Sequence, residues 1–362
     1  MNKIFIQYHK KIRQRLIFLF LVTACNSEKA TDQLSLLWQD DKAVAVKIPM
    51  SAAHIHHPDS VHIFLSGKNV AVLGTMNKSG DMLIFTPIVP FTRGLKYEIR
   101  EDSVNIGQFS IPLPDADSAP IVKAVYPAGD TLPSNLLKWT FEFSVQMREG
   151  VALKYIHLIR NERDTLGEVF LELSPELWNH ESTVLTVWMD PGRIKRGLQP
   201  NLRMGPPMLP GDRYELYIDS AWESKQGLPL KSVYTKTFFT SKRDSVSPDV
   251  RDWKINIPKA GTVNELIIEF PESMDHVVLE KALRFKDGNR SYIHGKLLVD
   301  EKGNAARFIP ELSWQKGKYI IEIEGGLEDL AGNNLNRLFD EDLGKKIPKE
   351  DKEFFELEFV VK

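Results

Sequence analysis

The amino-acid sequence predicts an all-β fold, and three observations carry that reading. Short segments alternate large apolar residues with polar ones, as in Trp139-Thr-Phe141-Glu-Phe143, Tyr214-Glu-Leu216-Tyr-Ile218, Tyr319-Ile-Ile321-Glu-Ile323 and Phe355-Glu-Leu357-Glu-Phe359. A period of two with one polar face is the pattern of a half-buried antiparallel strand. The 22 glycines and 21 prolines punctuate these runs, and few stretches carry helical spacing. One spacing pattern also recurs along the chain, which predicts several similar β-domains in tandem.

The N-terminus decides which residues belong to the mature protein. Lys3, Lys10, Lys11, Arg13 and Arg15 stand in the first fifteen residues without an acidic side chain, and Leu16-Ile-Phe-Leu-Phe-Leu-Val22 follows. That is the charged region and short apolar region of a signal peptide, too short to span a bilayer as a permanent helix. Val22-Thr23-Ala24-Cys25 then resembles the lipobox of bacterial lipoproteins. The resemblance implies cleavage after residue 24 and acylation of Cys25. Cys25 is the single cysteine of the chain, so no disulfide is available and each domain must be held by its core. Residues 25–36 read as the lipid-anchored tether.

Internal repetition divides the rest. Phe85-Thr-Pro87 is followed by Phe91, Gly94 and Tyr97-Glu-Ile99; Phe308-Ile-Pro310 is followed by Trp314, Gly317 and Tyr319-Ile-Ile321. In the middle copy Gly211 precedes Tyr214, and Trp222-Glu223, Gly227 and Leu230 align with Leu327-Glu328, Gly332 and Leu335. A strand ends where proline removes a ladder donor, a glycine makes the turn, and the next strand sends its tyrosine and aliphatics into the core. These residues, above all Phe270 with Met274, Phe308-Ile-Pro310, Gly317 to Tyr319 and Leu327-Glu-Asp-Leu-Ala-Gly-Asn333, resemble the bacterial immunoglobulin-like domains of the surface-layer-protein type. The resemblance implies three tandem immunoglobulin-like β-sandwich domains, and the repeats and proline-containing joints bound them at 37–114, 119–242 and 246–362. Spacer, adhesion or accessory roles go with it, and no ligand is named. Pro112-Leu-Pro114 to Pro120 and Ser241 to Pro248 read as proline-containing linkers.

Candidate chemistry is sparse. The middle domain carries an insertion from Asp190 to Pro207 where the other copies pass quickly to the glycine turn. It gathers Arg193, Lys195, Arg196 and Arg203, with Trp188 beside it, residues suited to gripping a carboxylate, a phosphate or an anionic glycan. The simpler reading is an ordered loop packed on the neighbouring domain, its cations paired locally. His54, His56 and His57 read as an exposed turn and not a metal site, because no companion ligand stands at a suitable spacing. Asp329, Asn333 and Asn334 at a glycine turn read as side chains capping their own backbone and not as a calcium loop. Glu322, Glu324, Glu356 and Glu358 read as a solvated strand face. Trp139 and Trp314 face a core, while Trp178 and Trp188 are candidates for a surface platform that stacks sugars.

No Gly-x-Ser-x-Gly, His-Glu-x-x-His, phosphate-loop or dinucleotide signature is present,. The formal net charge of −2 gives no footprint for nucleic acid. The expected protein is therefore a non-enzymatic, membrane-tethered lipoprotein of the cell envelope that binds or spaces a partner such as an envelope protein or an anionic glycan, without a cofactor or metal. The competing class is a glycan-binding accessory or hydrolase-like enzyme using the insertion; a pocket joining Arg193, Arg196, Trp188 and an acidic residue would favour it. Mass spectrometry of the mature chain is expected to find acyl groups on Cys25, and Cys25→Ala to release the protein from the membrane fraction; an unmodified terminus elsewhere would refute the lipoprotein reading.

Overall fold

The computed structural model describes residues 33–39, 42–341 and 351–362. Residues 1–24, read as a signal peptide, and Cys25 lie outside the described residues. The chain divides into two compact units, at Ile111 and Pro112.

The first unit is one sandwich. Its strands are β1 (Ser35–Gln39), β2 (Lys42–Pro49), β3 (Val61–Leu65), β4 (Gly74–Ser79), β5 (Met82–Pro87), β6 (Lys96–Glu101) and β7 (Val104–Ser110). They form the sheets β1-β2-β5-β4 and β3-β6-β7, which is the four-plus-three strand order of an immunoglobulin constant-type domain. Val46, Ile48, Ile63, Phe85, Phe91, Tyr97 and Phe109 fill the space between the sheets.

The second unit holds two more sandwiches, each with its own core. The middle one comprises β8 (Val122–Tyr126), β9 (Thr131–Pro133), β10 (Lys138–Phe143), β11 (Ile156–Arg160), β12 (Asp164–Leu166), β13 (Leu177–Trp178), β14 (Val184–Trp188), β15 (Arg213–Ile218) and β16 (Tyr234–Ser241). Its sheets run β13-β14-β10-β8 and β12-β11-β15-β16-β9. The third comprises β17 (Lys254–Asn256), β18 (Leu266–Glu269), β19 (Leu283–Asp287), β20 (Gly295–Val299), β21 (Ala305–Pro310), β22 (Gly317–Glu324) and β23 (Phe354–Val361), and repeats the first topology as β17-β18-β21-β20 and β19-β22-β23.

The repeated tyrosine has the same job three times. Tyr97, Tyr214 and Tyr319 stand on β6, β15 and β22, and each hydroxyl accepts a hydrogen bond from a backbone N–H just upstream, at Thr92 (3.0 Å), Leu209 (2.8 Å) and Gln315 (2.9 Å). This ties the incoming connection to the strand that follows it, the tyrosine corner of such sandwiches. Each ring also stacks on a phenylalanine of the next strand, Phe109, Phe238 and Phe359, at 5.4, 5.7 and 5.4 Å. One side chain thus satisfies a polar group and fills the core.

One expectation changes. Glu322 is not on a solvated face: it is buried and ion-paired with Lys286, and it accepts a bond from the Tyr292 hydroxyl at 3.2 Å. The loop carrying Tyr292 lies over that part of the sheet, so alternation placed the residue on the outer face but did not make that face wet. Glu324 and Glu356 are paired as well, with Arg284 and Arg290.

The second linker, read as semi-rigid, is tied to the middle sandwich. Asn135 donates to the Asp244 carbonyl at 2.9 Å and accepts from the Asp244 N–H at 2.8 Å. The Leu137 N–H donates to the Leu330 carbonyl at 2.9 Å, and Leu330 and Phe339 of the third sandwich pack against the middle core. Gly332 holds φ at 79°, and a Cβ there would run into the Leu137 side chain. That glycine serves both a left-handed turn and the approach of two sandwiches. Gly332→Ala is accordingly expected to cost the 112–362 unit roughly 1–3 kcal/mol. In calorimetry the middle and third sandwiches should lose stability together while residues 33–111 are unaffected; a shift confined to the third sandwich would show that they unfold independently.

Candidate functional site

The insertion folds into two short helices, α1 (Pro191–Ile194) and α2 (Gln199–Met204). Asp190 caps the first by accepting from the Gly192 N–H at 2.8 Å, with Pro191 at its first position, the start that a proline with a preset φ favours.

Arg193 is buried at 8% exposure. Its guanidinium donates to the carbonyls of Gly205 (3.1 Å), Gly167 (3.3 Å), Glu168 (2.9 Å) and Pro206 (3.2 Å). With most of its five donors taken by backbone oxygens, this arginine staples the insertion shut.

Two of the other cations, Lys195 and Arg196, turn toward the third sandwich. Arg196 donates through Nε to Asp340 at 2.8 Å, and Arg243 reaches the same carboxylate while also donating to the Ile194 carbonyl at 2.9 Å. The Lys195 ammonium sits 4.4 Å from the centre of the Phe339 ring, a cation–π geometry. Arg203 is exposed on α2, where Leu202 is 67% exposed beside it. The insertion therefore acts mainly as a clamp between sandwiches. Its partner Asp340 comes from a segment 144 residues away from Arg196, a pairing no local pattern announces.

A second set of charges lies across the same seam. Lys138 on β10 pairs with Asp275 at 3.3 Å and with Glu328. Burial opposes the ammonium, and the two carboxylates outweigh it, so its pKa is raised. Asp275 also caps α3 (His276–Ala282), accepting from the Val278 N–H at 2.9 Å, and the His276 ring stacks on Tyr126 at 3.9 Å.

Nearby, carboxylate oxygens of Asp244, Glu272 and Asp329 lie within 4.8 Å of one another. Asp329 is turned to its own loop, as the reading of a self-capping turn requires: it accepts from the N–H groups of Ala331 (2.7 Å) and Asn333 (2.9 Å) and from the Asn333 amide (2.8 Å). Burial pushes its pKa up to about 8, with Asp244 and Glu272 adding to the rise against the Asn333 hydrogen bonds. Burial and then Asp244 raise Glu272 to about 7.

The middle sandwich also has a cleft of about 610 Å³. Leu171 donates to the Trp188 carbonyl and Leu177 pairs with Thr186, so residues 172–176 bow away from β14 between those two attachments. The facing wall is the 149–154 segment, and Glu176 pins the walls together by accepting from the N–H groups of Gly150 (2.8 Å) and Ala152 (2.7 Å) and from the Trp178 indole (2.7 Å). Trp188 lines this cleft with Glu149, Lys154 and Glu172. Arg193 and Arg196 are not among its lining residues, so the structure does not join the four groups that would have favoured a glycan or hydrolase site on the insertion. Trp178 is no open platform: it packs edge-on to Trp222 at 6.0 Å and against Phe143 at 5.9 Å. The histidine turn is likewise accounted for locally, the N–H groups of His56 and His57 donating to Glu101.

The chain matches no known family pattern and no curated protein sequence. Similar solved structures include a fragment of native alpha-2-macroglobulin from Escherichia coli, at 8% identity and TM-score 0.23, covering 57% of this chain and 66% of that one. The N-terminal part of the bacterial S-layer protein SbsC aligns at 14% identity and TM-score 0.25, over 57% of this chain and 41% of that one. The ectodomain of mouse nectin-like molecule 4, with three immunoglobulin domains, aligns at 9% identity and TM-score 0.20, over 77% and 88%. At such values nothing about ligand or activity carries over.

The acidic trio sets a pH dependence. Glu272 and Asp329 have ordinary values of 4.5 and 3.8, and both are raised in the folded chain, to about 7 and about 8. The folded state therefore binds more protons than the unfolded one between about pH 4 and pH 8, and stability must fall as pH rises through that window. Chemical denaturation of residues 112–362 at about pH 5 and about pH 9 is expected to reveal this loss. Glu272→Gln should reduce it by on the order of 1–3 kcal/mol; an equal loss in the variant would remove Glu272 as its source.

Proposed function

We propose that this chain is a non-enzymatic lipoprotein of the cell envelope, tethered through Cys25, in which residues 112–362 act as a stiff two-sandwich spacer that presents binding surface away from the anchor. The observation that carries the reading is the joint between the middle and third sandwiches. It combines an inserted turn at Leu330 and Gly332, a buried ammonium between two carboxylates, and a clamp in which Arg196 and Arg243 share Asp340. Two domains meant to move independently do not require an eighteen-residue insertion from Asp190 to Pro207 that sends Lys195 and Arg196 to the neighbour. The lipobox-like Val22-Thr-Ala-Cys25 supports the anchor, and the large packed cores and tyrosine corners support a load-bearing or display role.

A second reading places a small ligand in the middle-sandwich cleft. It is favoured by the volume, which falls within the roughly 300–1,000 Å³ of ordinary ligand sites, and by Trp188 beside an apolar floor of Leu171, Leu173, Leu185 and Val187. Calorimetric titration with a panel of envelope glycans and short peptides separates the two, because only the second reading expects heat that Trp188→Ala removes.

For the spacer, Asp340→Ala withdraws the acceptor shared by two arginines and should cost about 1–3 kcal/mol. Spin labels on β16 and β23 should then give a broader distance distribution than in the parent chain, with circular dichroism unchanged. A distribution equally broad in the parent would overturn the stiff joint.

A further inference from the structure

The cleft of the middle sandwich runs along a strand edge that the chain itself leaves incomplete. The Met189 N–H donates toward β10, to the Leu137 carbonyl at 2.8 Å, and successive residues of a strand send their backbone groups to opposite sides. The N–H and carbonyl of Trp188 therefore face the cleft. That carbonyl accepts from the Leu171 N–H at 2.8 Å, and two residues back Thr186 is paired with Leu177. Among the described residues the Trp188 N–H has no acceptor.

The side chains around that donor are of mixed character. The Lys138 ammonium lies over one face of the Trp188 ring, 5.9 Å from its centre, which leaves the opposite face to the cleft that the ring lines. Leu171, Leu173 and Leu177 add apolar surface. Glu176 is occupied by its three hydrogen bonds, and Glu149 by Lys225 at 2.8 Å and the Ser182 hydroxyl at 2.5 Å. Glu172, Lys154 and the hydroxyls of Ser174 and Thr186 line the same cleft and have no hydrogen-bond or ion-pair partner among the described residues.

Two kinds of occupant fit these groups badly. Glu149, Glu172 and Glu176 line the cleft against one lysine, Lys154, so a phosphate or a carboxylate would meet like charge. An extended peptide added as a strand needs a run of alternating donors and acceptors, and β14 offers it one unpaired N–H between the attachments of Leu171 and Leu177. An uncharged molecule rich in hydroxyl groups fits well. Each hydroxyl both donates and accepts, so the same ligand can satisfy a carboxylate, an ammonium and a backbone N–H. The electron-rich face of an indole suits the C–H-bearing face of a sugar ring.

We propose that this cleft binds a neutral saccharide. A sugar ring lies on the free face of Trp188, one of its oxygens accepts from the Trp188 N–H, and its hydroxyls donate to Glu172 and accept from Lys154. This ligand class rests on the reading of the cleft as a small-molecule site. It does not involve Arg193 or Arg196 of the insertion, the lipid anchor or the stiffness of the joint.

The probes are neutral oligosaccharides of glucose, galactose, mannose and N-acetylglucosamine, an oligosaccharide of galacturonic acid, and a dipeptide of apolar residues with both ends blocked. Calorimetric titration of the full chain at millimolar probe should give heat with at least one neutral sugar, and the galacturonic acid should bind roughly tenfold more weakly than that sugar. Trp188→Ala should abolish the heat. Glu172→Gln alters an exposed side chain and should weaken the neutral sugar roughly tenfold with circular dichroism unchanged, so it reads the same site even where Trp188→Ala does not fold. Heat from the dipeptide alone, lost in Trp188→Ala, would keep the cleft as a ligand site and overturn the saccharide. Silence from every probe would overturn both. Galacturonic acid binding as tightly as the neutral sugar, or sugar binding that survives both substitutions, would also overturn the proposal.

Discussion

The 112–362 unit depends on one close approach, where the Gly332 turn of the third sandwich meets Leu137 of the middle one. A side chain at 332 would collide with Leu137, and the backbone there needs a left-handed conformation. With glycine in place, the Leu330 carbonyl receives the Leu137 N–H, Leu330 reaches the middle core, and Phe339 follows it. Asp340 is then held where Arg196 and Arg243 can share it, and Glu328 and Asp275 flank Lys138. Each of these contacts presupposes the approach of two backbones.

The chemistry of that seam is mixed because burial there is incomplete. The Lys138 ammonium is held by two carboxylates and keeps its charge, as a buried ion must have partners to be tolerated. The Asp244, Glu272 and Asp329 group has no cation among its hydrogen-bond and salt-bridge partners in the described residues, and burial moves two of its members toward the protonated form. One joint thus carries a charged clamp and a proton-holding cluster.

Much of the fold was legible because it depends on local alternation and on spacings short enough to read. Trp139, Phe141 and Phe143 alternate into the core, as do Tyr214, Leu216 and Ile218. The tyrosine offsets located the corner of each sandwich, since a hydroxyl that must reach a backbone group four or five residues upstream leaves a fixed mark. The candidate site was less legible. The cations of the insertion were visible, but their partners were not, because a guanidinium that binds its own loop and one that awaits an anion have the same letters around them. The cleft beside Trp188 and the Glu176 bonds that hold it open came from a bowed segment with no distinctive composition.

The sequence by itself determined the class of fold and the positions of the strand-turn-strand corners, since strand alternation and turn chemistry are written within a few residues. Tertiary structure alone decided that Glu322 is buried, that Asp340 joins two sandwiches and that Gly332 sits against Leu137. Those outcomes rest on which segments meet across more than a hundred residues or across a sheet, and on what covers a face or leaves it bare. Pairings at that range follow from the packing of whole sheets, and no local pattern encodes them.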